Sequence, residues 1–327
     1  MGEADAGGPM DRRLAPIVRA LPAAPGVYRF REASGAVLYI GRAAHLRERV
    51  ASYWSDLGDR RHLLRMVAAV RGIEAVACAS RHEAAWLERN LLEEALPPWN
   101  KTPGGQETPV SIALDPRPAA PGLRVLHERD AVAAGVHVFG PYLGGLQVRR
   151  AVNGLERILP LALTGSRLGG TERALAAERG VTERDRETLG AALTAVLRRE
   201  PAAMAAARHE LERLREAAAA AAAFELATRI HAELQAVDWI ASPQRVTVTG
   251  GGDADVHGWA GGVLVSFGIR DGRLRTWRQR PISHAGAASH VGATPPEWRD
   301  FARGNAELAA ALVAAQRPSV ARRATPP

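Results

Sequence analysis

Pro25-Gly26-Val27-Tyr28 and Leu38-Tyr39-Ile40-Gly41-Arg42-Ala43 are two short apolar runs carrying tyrosine, set on either side of the turn Ala33-Ser34-Gly35. Short apolar runs separated by a Gly-bearing turn predict a β-hairpin. Ala44 to Tyr53 follows with helical spacing, Leu46, Val50 and Tyr53 on one face and Arg47 and Arg49 beside it. A second helix is expected from about Arg60 to Val70, a strand from Ile73 to Cys78, and a third helix from Arg81 to Ala95, stopped by Pro97 and Pro98. The result is a small mixed domain in strand, strand, helix, helix, strand, helix order, ending near Lys101.

Composition bounds what such a domain belongs to. A chain of 327 residues has room for about two domains. Cys78 is the only cysteine, which excludes an internal disulfide framework, a zinc ribbon and an iron-sulfur cluster held by one chain. The net charge of +8 suits a polyanionic partner. That signal is weak, because nearly all the positive charge is arginine and GC-rich coding enriches arginine equally. Ala217 to Ala223 is too short to span a bilayer, so no membrane role is expected. Met1 to Met10 is Gly-rich and acidic and does not read as a secretory signal, so a cytoplasmic protein is expected.

Outward from the first domain, the chain is expected to run as a disordered start (1–20), the mixed domain (21–101), a Pro- and Gly-rich linker (102–122), a middle region (123–200), a helical hairpin (201–242), a small β-containing segment (246–316) and a disordered tail (317–327). The linker admits one strand at Val110 to Leu114, and the middle region contains a tight turn at Phe139-Gly140-Pro141-Tyr142 and an amphipathic segment from Val148 to Ile158. Leu189 to Arg198 reads as a helix, and Pro201 to Ile240 as a hairpin or one long helix bent near Ala217 to Ala223. Val246 to Arg280 alternates like antiparallel strands, with Asp271-Gly272 a strong hairpin turn.

The chain has only four tyrosines, and Tyr28, Tyr39 and Tyr53 fall in one short stretch. Together with Leu46 and Arg49, Ser52-Tyr53, Glu83-Ala84, Leu87-Glu88, Asn90-Leu91 and Pro98-Trp99-Asn100, the two opening motifs resemble the GIY-YIG nuclease family and within it the UvrC-like subgroup. The resemblance implies an α+β fold built on a three-stranded antiparallel sheet. It also implies metal-dependent hydrolysis of one DNA phosphodiester bond. In that scheme Tyr28 helps to activate a water, which requires its pKa of roughly 10 to be lowered by neighbouring positive charge or metal. Glu88 holds one divalent cation, Mg or Mn. Arg49 clamps the scissile phosphate, Tyr39 and Tyr53 orient water or phosphate, and Asn100 anchors the geometry. Arg42 stands where the subgroup has Lys, keeping the charge but replacing a compact ammonium with a planar fork. Taken singly, each residue has an ordinary reading as a strand tyrosine, a solvated glutamate, a surface arginine or a turn asparagine. Five such coincidences in register are harder to arrange than one active site.

The likeness continues more weakly. Phe139 to Tyr142 and Leu155 to Leu161 resemble the segment before the family's iron-sulfur cysteines, where this chain has Ala162-Leu163-Thr164-Gly165. Phe224, Glu225, Ala227 and Ile230 resemble the UVR motif, implying docking on UvrB with UvrA upstream; where the motif continues Arg-Asp, His231-Ala232 stands here. The strands around Asp253, Asp255 and Asp271 resemble the lead-in to an RNase H-like second nuclease, but these aspartates read as turn residues and one cutting site is expected. Three functions follow: a Cho-like short UvrC enzyme making the 3′-side incision of nucleotide excision repair on damaged double-stranded DNA; a catalytically weak paralogue binding DNA or UvrB; and a GIY-YIG nuclease with an unrelated substrate, which the second half argues against.

Overall fold

Ala33 to Gly35 closes the hairpin between β1 (Gly26–Arg31) and β2 (Val37–Ala43), with Gly35 at φ 87°, where glycine has no steric penalty. The computed structural model describes residues 10–55, 62–105, 107–120, 122–127 and 130–316. α1 (Leu14–Ala20) precedes the hairpin, and α2 (Leu46–Ala51) and α3 (Leu64–Ala69) follow it. β3 (Gly72–Ala77) then pairs antiparallel with the free edge of β1, so the sheet order is β2-β1-β3. α4 (Arg81–Glu94) starts at Ser80, whose hydroxyl accepts from Glu83 N at 2.9 Å as an N-cap. This is the expected α+β fold, built on a three-stranded antiparallel sheet.

The expected disordered start contains a docked helix. Leu14, Ile17 and Val18 form a buried stripe on α1 that shares a core with Leu46, Val50, Met66 and Leu312. Three apolar residues at helical spacing are too few to stand out in sequence, yet they dock because a complementary surface exists. Residues 1–9 and the tail 317–327 lie outside the described residues.

The segment expected to be a linker is the centre of a second unit spanning Glu107–Ser242. β4 (Pro109–Leu114) lies between β5 (Leu123–His127) and β6 (His137–Leu143), and Phe139 to Tyr142, expected as a turn, runs within β6. Pro and Gly dominate the flanks of β4, whereas Val110, Ile112 and Leu114 are buried against α5 (Gly145–Ile158). α6 (Gly170–Arg179) and α7 (Arg186–Leu197) follow. α8 (Pro201–Ala220) and α9 (Phe224–Ala241) pair as a hairpin, turning where Ala222 takes φ 54°. Arg157 and Glu233 join α5 to α9 through two hydrogen bonds of 2.6 and 2.8 Å. The buried Arg186 guanidinium donates to the carbonyls of Asp115, Pro116, Arg117, Ala120 and Leu161, so one side chain closes two loops.

The C-terminal segment is not a separate appendage, since Pro243–Pro327 belongs to one unit with Met1–Gln106. β7 (Ala254–Ala260), β8 (Val263–Arg270) and β9 (Arg273–Pro281) form an antiparallel meander whose second turn places Asp271 at φ 51° and Gly272 at φ 70°. α10 (His284–Gly292) and α11 (Arg299–Gln316) complete it. At Gly258 any Cβ would lie 2.0 Å from the Ala302 carbonyl oxygen, so only glycine lets α11 lie this close to β7. The Asn305 amide pairs with both backbone groups of Ala77 on the edge strand β3, accepting from its N–H at 2.7 Å and donating to its carbonyl at 3.2 Å. On the face of β1 away from Tyr28, Arg29 stacks 3.8 Å from the Trp277 ring centroid and donates to the Trp277 carbonyl at 2.8 Å. Without these partners the back and edge of the β2-β1-β3 sheet would leave polar groups unpaired.

Replacing Arg186 by Met removes the donor shared by these carbonyls. We expect urea-induced unfolding to show a loss of about 3 kcal/mol, since hydrogen bonds from charged donors carry more than neutral ones. Unchanged stability would show that water satisfies the two loops.

Candidate active site

Tyr28 on β1 pairs in register with Gly41 on β2, and the two tyrosine-bearing motifs meet there. A Cβ on residue 41 would fall 2.6 Å from the Tyr28 hydroxyl and 2.7 Å from Tyr39 Cε1. Both phenols therefore occupy the space that glycine leaves. The Tyr28 and Tyr53 hydroxyls are hydrogen-bonded at 2.7 Å, and the Tyr39 ring lies 6.3 and 6.2 Å from those of Tyr28 and Tyr53. Tyr53 reaches this point because α2 buries Leu46 and Val50 beneath it. The Arg49 guanidinium sits 5.7 Å from the Tyr53 ring centroid, with Tyr28 as a hydrogen-bond partner.

Glu88 projects from α4 towards β2. Its carboxylate accepts the Arg42 backbone N–H at 3.1 Å and lies 3.4 Å from the Arg42 Nε. Asn100 accepts from Ile40 N at 2.9 Å and donates to Ile40 O at 2.8 Å, so its amide acts as a strand partner for the residue between Tyr39 and Gly41. The structure thus gathers Tyr28, Tyr39, Arg42, Arg49, Tyr53, Glu88 and Asn100 around one stretch of β2.

The neighbouring protein charge does not by itself lower the Tyr28 pKa. Burial, then the Tyr53 and Tyr39 phenols, push Tyr28 well above the ordinary tyrosine range, and Arg49 pulls it down only in part. Tyr39 is raised mainly by burial as well. Tyr28 is therefore a neutral phenol at neutral pH, because a phenolate in this apolar cluster would lose its hydration.

The support behind α4 was not legible in the sequence. Glu83 is fully buried and accepts the backbone N–H groups of Ala79 at 2.6 Å and Arg245 at 2.9 Å. Asn90 donates to the Val246 carbonyl and the Thr247 hydroxyl at 3.0 and 2.9 Å. Two residues apart on a helix lie on nearly opposite sides, so this anchor sits behind the helix that presents Glu88. Arg245, Val246 and Thr247 lie more than 150 residues from Glu83 and Asn90 in sequence, and no local pattern points to them.

The sequence profile of the UvrC-like GIY-YIG domain matches residues 24–101, the span that holds all seven of these residues. Residues 24–101 are a UvrC-like GIY-YIG domain. The chain is 32% identical over 251 residues to the UvrABC system protein C of Syntrophotalea carbinolica, covering 72% of this chain and 40% of that one. It is 33% identical over 302 residues to the protein of the same name from Sphingopyxis alaskensis, covering 85% and 44%. The chain thus spans less than half the length of these relatives. Among solved structures, the GIY-YIG N-terminal endonuclease domain of UvrC from Thermotoga maritima, bound to magnesium, is similar at 28% identity and a TM-score of 0.25, covering 28% of this chain and all of that one.

The residues assigned to partner binding lie in the second unit. Phe224 is 68% exposed and Glu225 is exposed, Ala227 is half-buried, and Ile230 is 2% exposed within the hairpin's own core. Ile230 packs in that core because its helix face closes on α5 and α8.

Because the folded Tyr28 pKa lies above its unfolded value of about 10, Tyr28 contributes stability that is complete below pH about 10 and is lost as pH rises through the folded value. Thermal unfolding measured across the alkaline range should show that loss in the wild type and a smaller one in Tyr28→Phe. A Gly41→Ala variant should lose about 1–3 kcal/mol and the short Tyr28–Tyr53 contact, readable by ultraviolet tyrosine titration.

Proposed function

We propose that this chain is a divalent-metal-dependent endonuclease that nicks one strand of damaged duplex DNA, making the 3′-side incision of nucleotide excision repair. The observation that carries the reading is the convergence of three phenols, the Arg49 cation and the Glu88 carboxylate on one face of a UvrC-like GIY-YIG domain.

Phosphodiester hydrolysis needs an activated water, neutralisation of developing charge and an oriented leaving oxygen. Tyr28 is neutral in the free protein and hydrogen-bonded to Tyr53, and it would accept a proton from water only after losing its own, a loss that the Arg49 cation and a bound divalent cation would favour. Arg49 binds the phosphate and favours any negative charge on Tyr28. Tyr39 and Tyr53 orient water or phosphate, and Asn100 keeps β2 in place. Glu88 suits Mg or Mn: it is a hard oxygen donor whose side chain is 19% exposed, and these cations take one or two carboxylates with water and phosphate in the remaining positions. A cation held there supplies positive charge to the phosphate and the leaving oxygen. UvrB is the partner proposed for the exposed Phe224 and Glu225 at the start of α9, with UvrA acting upstream.

One observation favours a second reading, a weakly cutting paralogue that binds DNA or UvrB. The Arg42 guanidinium already neutralises Glu88, and a divalent cation must displace it or share the carboxylate. The two readings separate in a nicking assay on lesion-bearing duplex with Mg or Mn, with and without preassembled UvrB. The enzyme reading expects one nick on the damaged strand, reduced at least about 100-fold by Glu88→Ala. Folded protein that binds DNA and never nicks would establish the second.

A further inference from the structure

Residues 243–247 have no part in the proposed chemistry, yet they hold the helix that carries Glu88. At the start of α4 the Ser80 hydroxyl donates to the Pro243 carbonyl at 2.6 Å. The fully buried Glu83 carboxylate accepts the Arg245 N–H at 2.9 Å, with the Arg245 Nε 3.6 Å away. Two turns further on, Asn90, 1% exposed, donates to the Val246 carbonyl and the Thr247 hydroxyl at 3.0 and 2.9 Å. The segment is itself fixed. Gln244 closes it on Thr247, donating to its carbonyl at 2.5 Å and accepting from its N–H at 3.1 Å. The Val246 carbonyl also accepts the Leu274 N–H at 2.9 Å, which joins the segment to β9.

Glu83 and Asn90 are seven residues apart, so they lie within about 20° of each other around α4 and about 10 Å apart along it. Glu88 stands about 140° from Glu83 and about 160° from Asn90, on the opposite side, where its carboxylate accepts the Arg42 N–H on β2. Two directional clamps on one line of a helix fix both its height and its rotation about its axis. Apolar packing restrains both less sharply, because dispersion contacts have no preferred donor–acceptor direction. An apolar interface would also avoid the lost hydration of a buried carboxylate and a buried amide, which only their partners restore.

We propose that residues 243–247 are a strap that sets where Glu88 stands, with Glu83 and Asn90 as positioning residues for a divalent cation at that carboxylate. It rests on the reading that Glu88 holds the cation. The phenols and Arg49 are carried by β1, β2 and α2, whereas Glu88 is carried by α4, so the place of its oxygens relative to them depends on how α4 is seated. The strap lies outside residues 24–101, so a segment beyond the GIY-YIG domain seats the metal ligand of that domain. The polar pairs behind α4 thereby supply register to the site in front of it.

The test measures Mn binding by the full chain without DNA, from the electron paramagnetic resonance signal of free Mn, at a temperature where circular dichroism shows every variant folded. Asn90→Leu is of similar size and removes both bonds to the strap. It should bind Mn at least about tenfold more weakly, the usual cost of losing a group that orients a metal ligand. Thr247→Val, which removes only the hydroxyl that Asn90 meets, should weaken binding in the same direction, and Thr247→Ser, which retains it, should match the wild type. Asn305→Leu breaks the pairing with Ala77 in the same unit and should lower stability while leaving Mn affinity within about twofold. Wild-type affinity in both Asn90→Leu and Thr247→Val would overturn the proposal. So would an equal loss in Asn305→Leu, which would assign the effect to the stability of the unit at large. Mn binding that survives Glu88→Ala would sink the reading of Glu88 as the metal ligand, and the strap with it. Mn binding lost in Glu88→Ala but unchanged in Asn90→Leu and Thr247→Val would leave that reading standing and remove the strap.

Discussion

Tyr28 and Gly41 face each other across β1 and β2, and the volume a side chain would take at position 41 is filled by the Tyr28 hydroxyl and the edge of the Tyr39 ring. The rest of the site depends on that packing. Because the phenols meet over a glycine, Tyr28 can reach Tyr53 at hydrogen-bond distance, and Tyr53 in turn carries Arg49 beside it on α2. A slip of one residue in the pairing would send the Tyr28 side chain to the opposite face of the sheet. Asn100 opposes such a slip by holding the backbone of Ile40 through both its N–H and its carbonyl.

The same burial that assembles the tyrosines also sets their chemistry. A phenol packed among phenols is easy to hold and hard to ionise. Arg49 is the cation that opposes the effect at Tyr28. Glu88 stands at the other side of the site, already charge-compensated by Arg42. Glu88 and Arg42 thus compensate each other, while Arg49 keeps its positive charge beside neutral phenols.

α4 mediates between the site and the far end of the chain. It presents Glu88 towards β2, while Glu83 and Asn90 are tied to residues 245–247 behind it. α11 and β9 cover the back and edge of the same sheet. Within this protein the C-terminal segment is therefore part of the GIY-YIG unit's core and not an addition to it. In the second unit Arg186 has a comparable role, since one guanidinium gathers the carbonyls around residues 115–120 and at Leu161.

Local pattern was enough for the elements of the first domain. Two apolar runs about a Gly turn, a helix with Leu46, Val50 and Tyr53 on one face, and a helix ended by Pro97 and Pro98 depend on short-range sterics and periodicity, which the sequence states directly. That Tyr28, Tyr39, Arg49, Glu88 and Asn100 come together was also legible, because their spacing is specific. Tertiary structure decided what depends on partners distant in sequence. It made a docked helix of Leu14–Ala20 and a central strand of Pro109–Leu114, joined residues 243–316 to the nuclease sheet, and turned Ile230 inward. It also decided the direction of the Tyr28 pKa, because ionisation responds to the density and charge of everything within a few ångströms, and that surrounding exists only once β1, β2 and α2 have met.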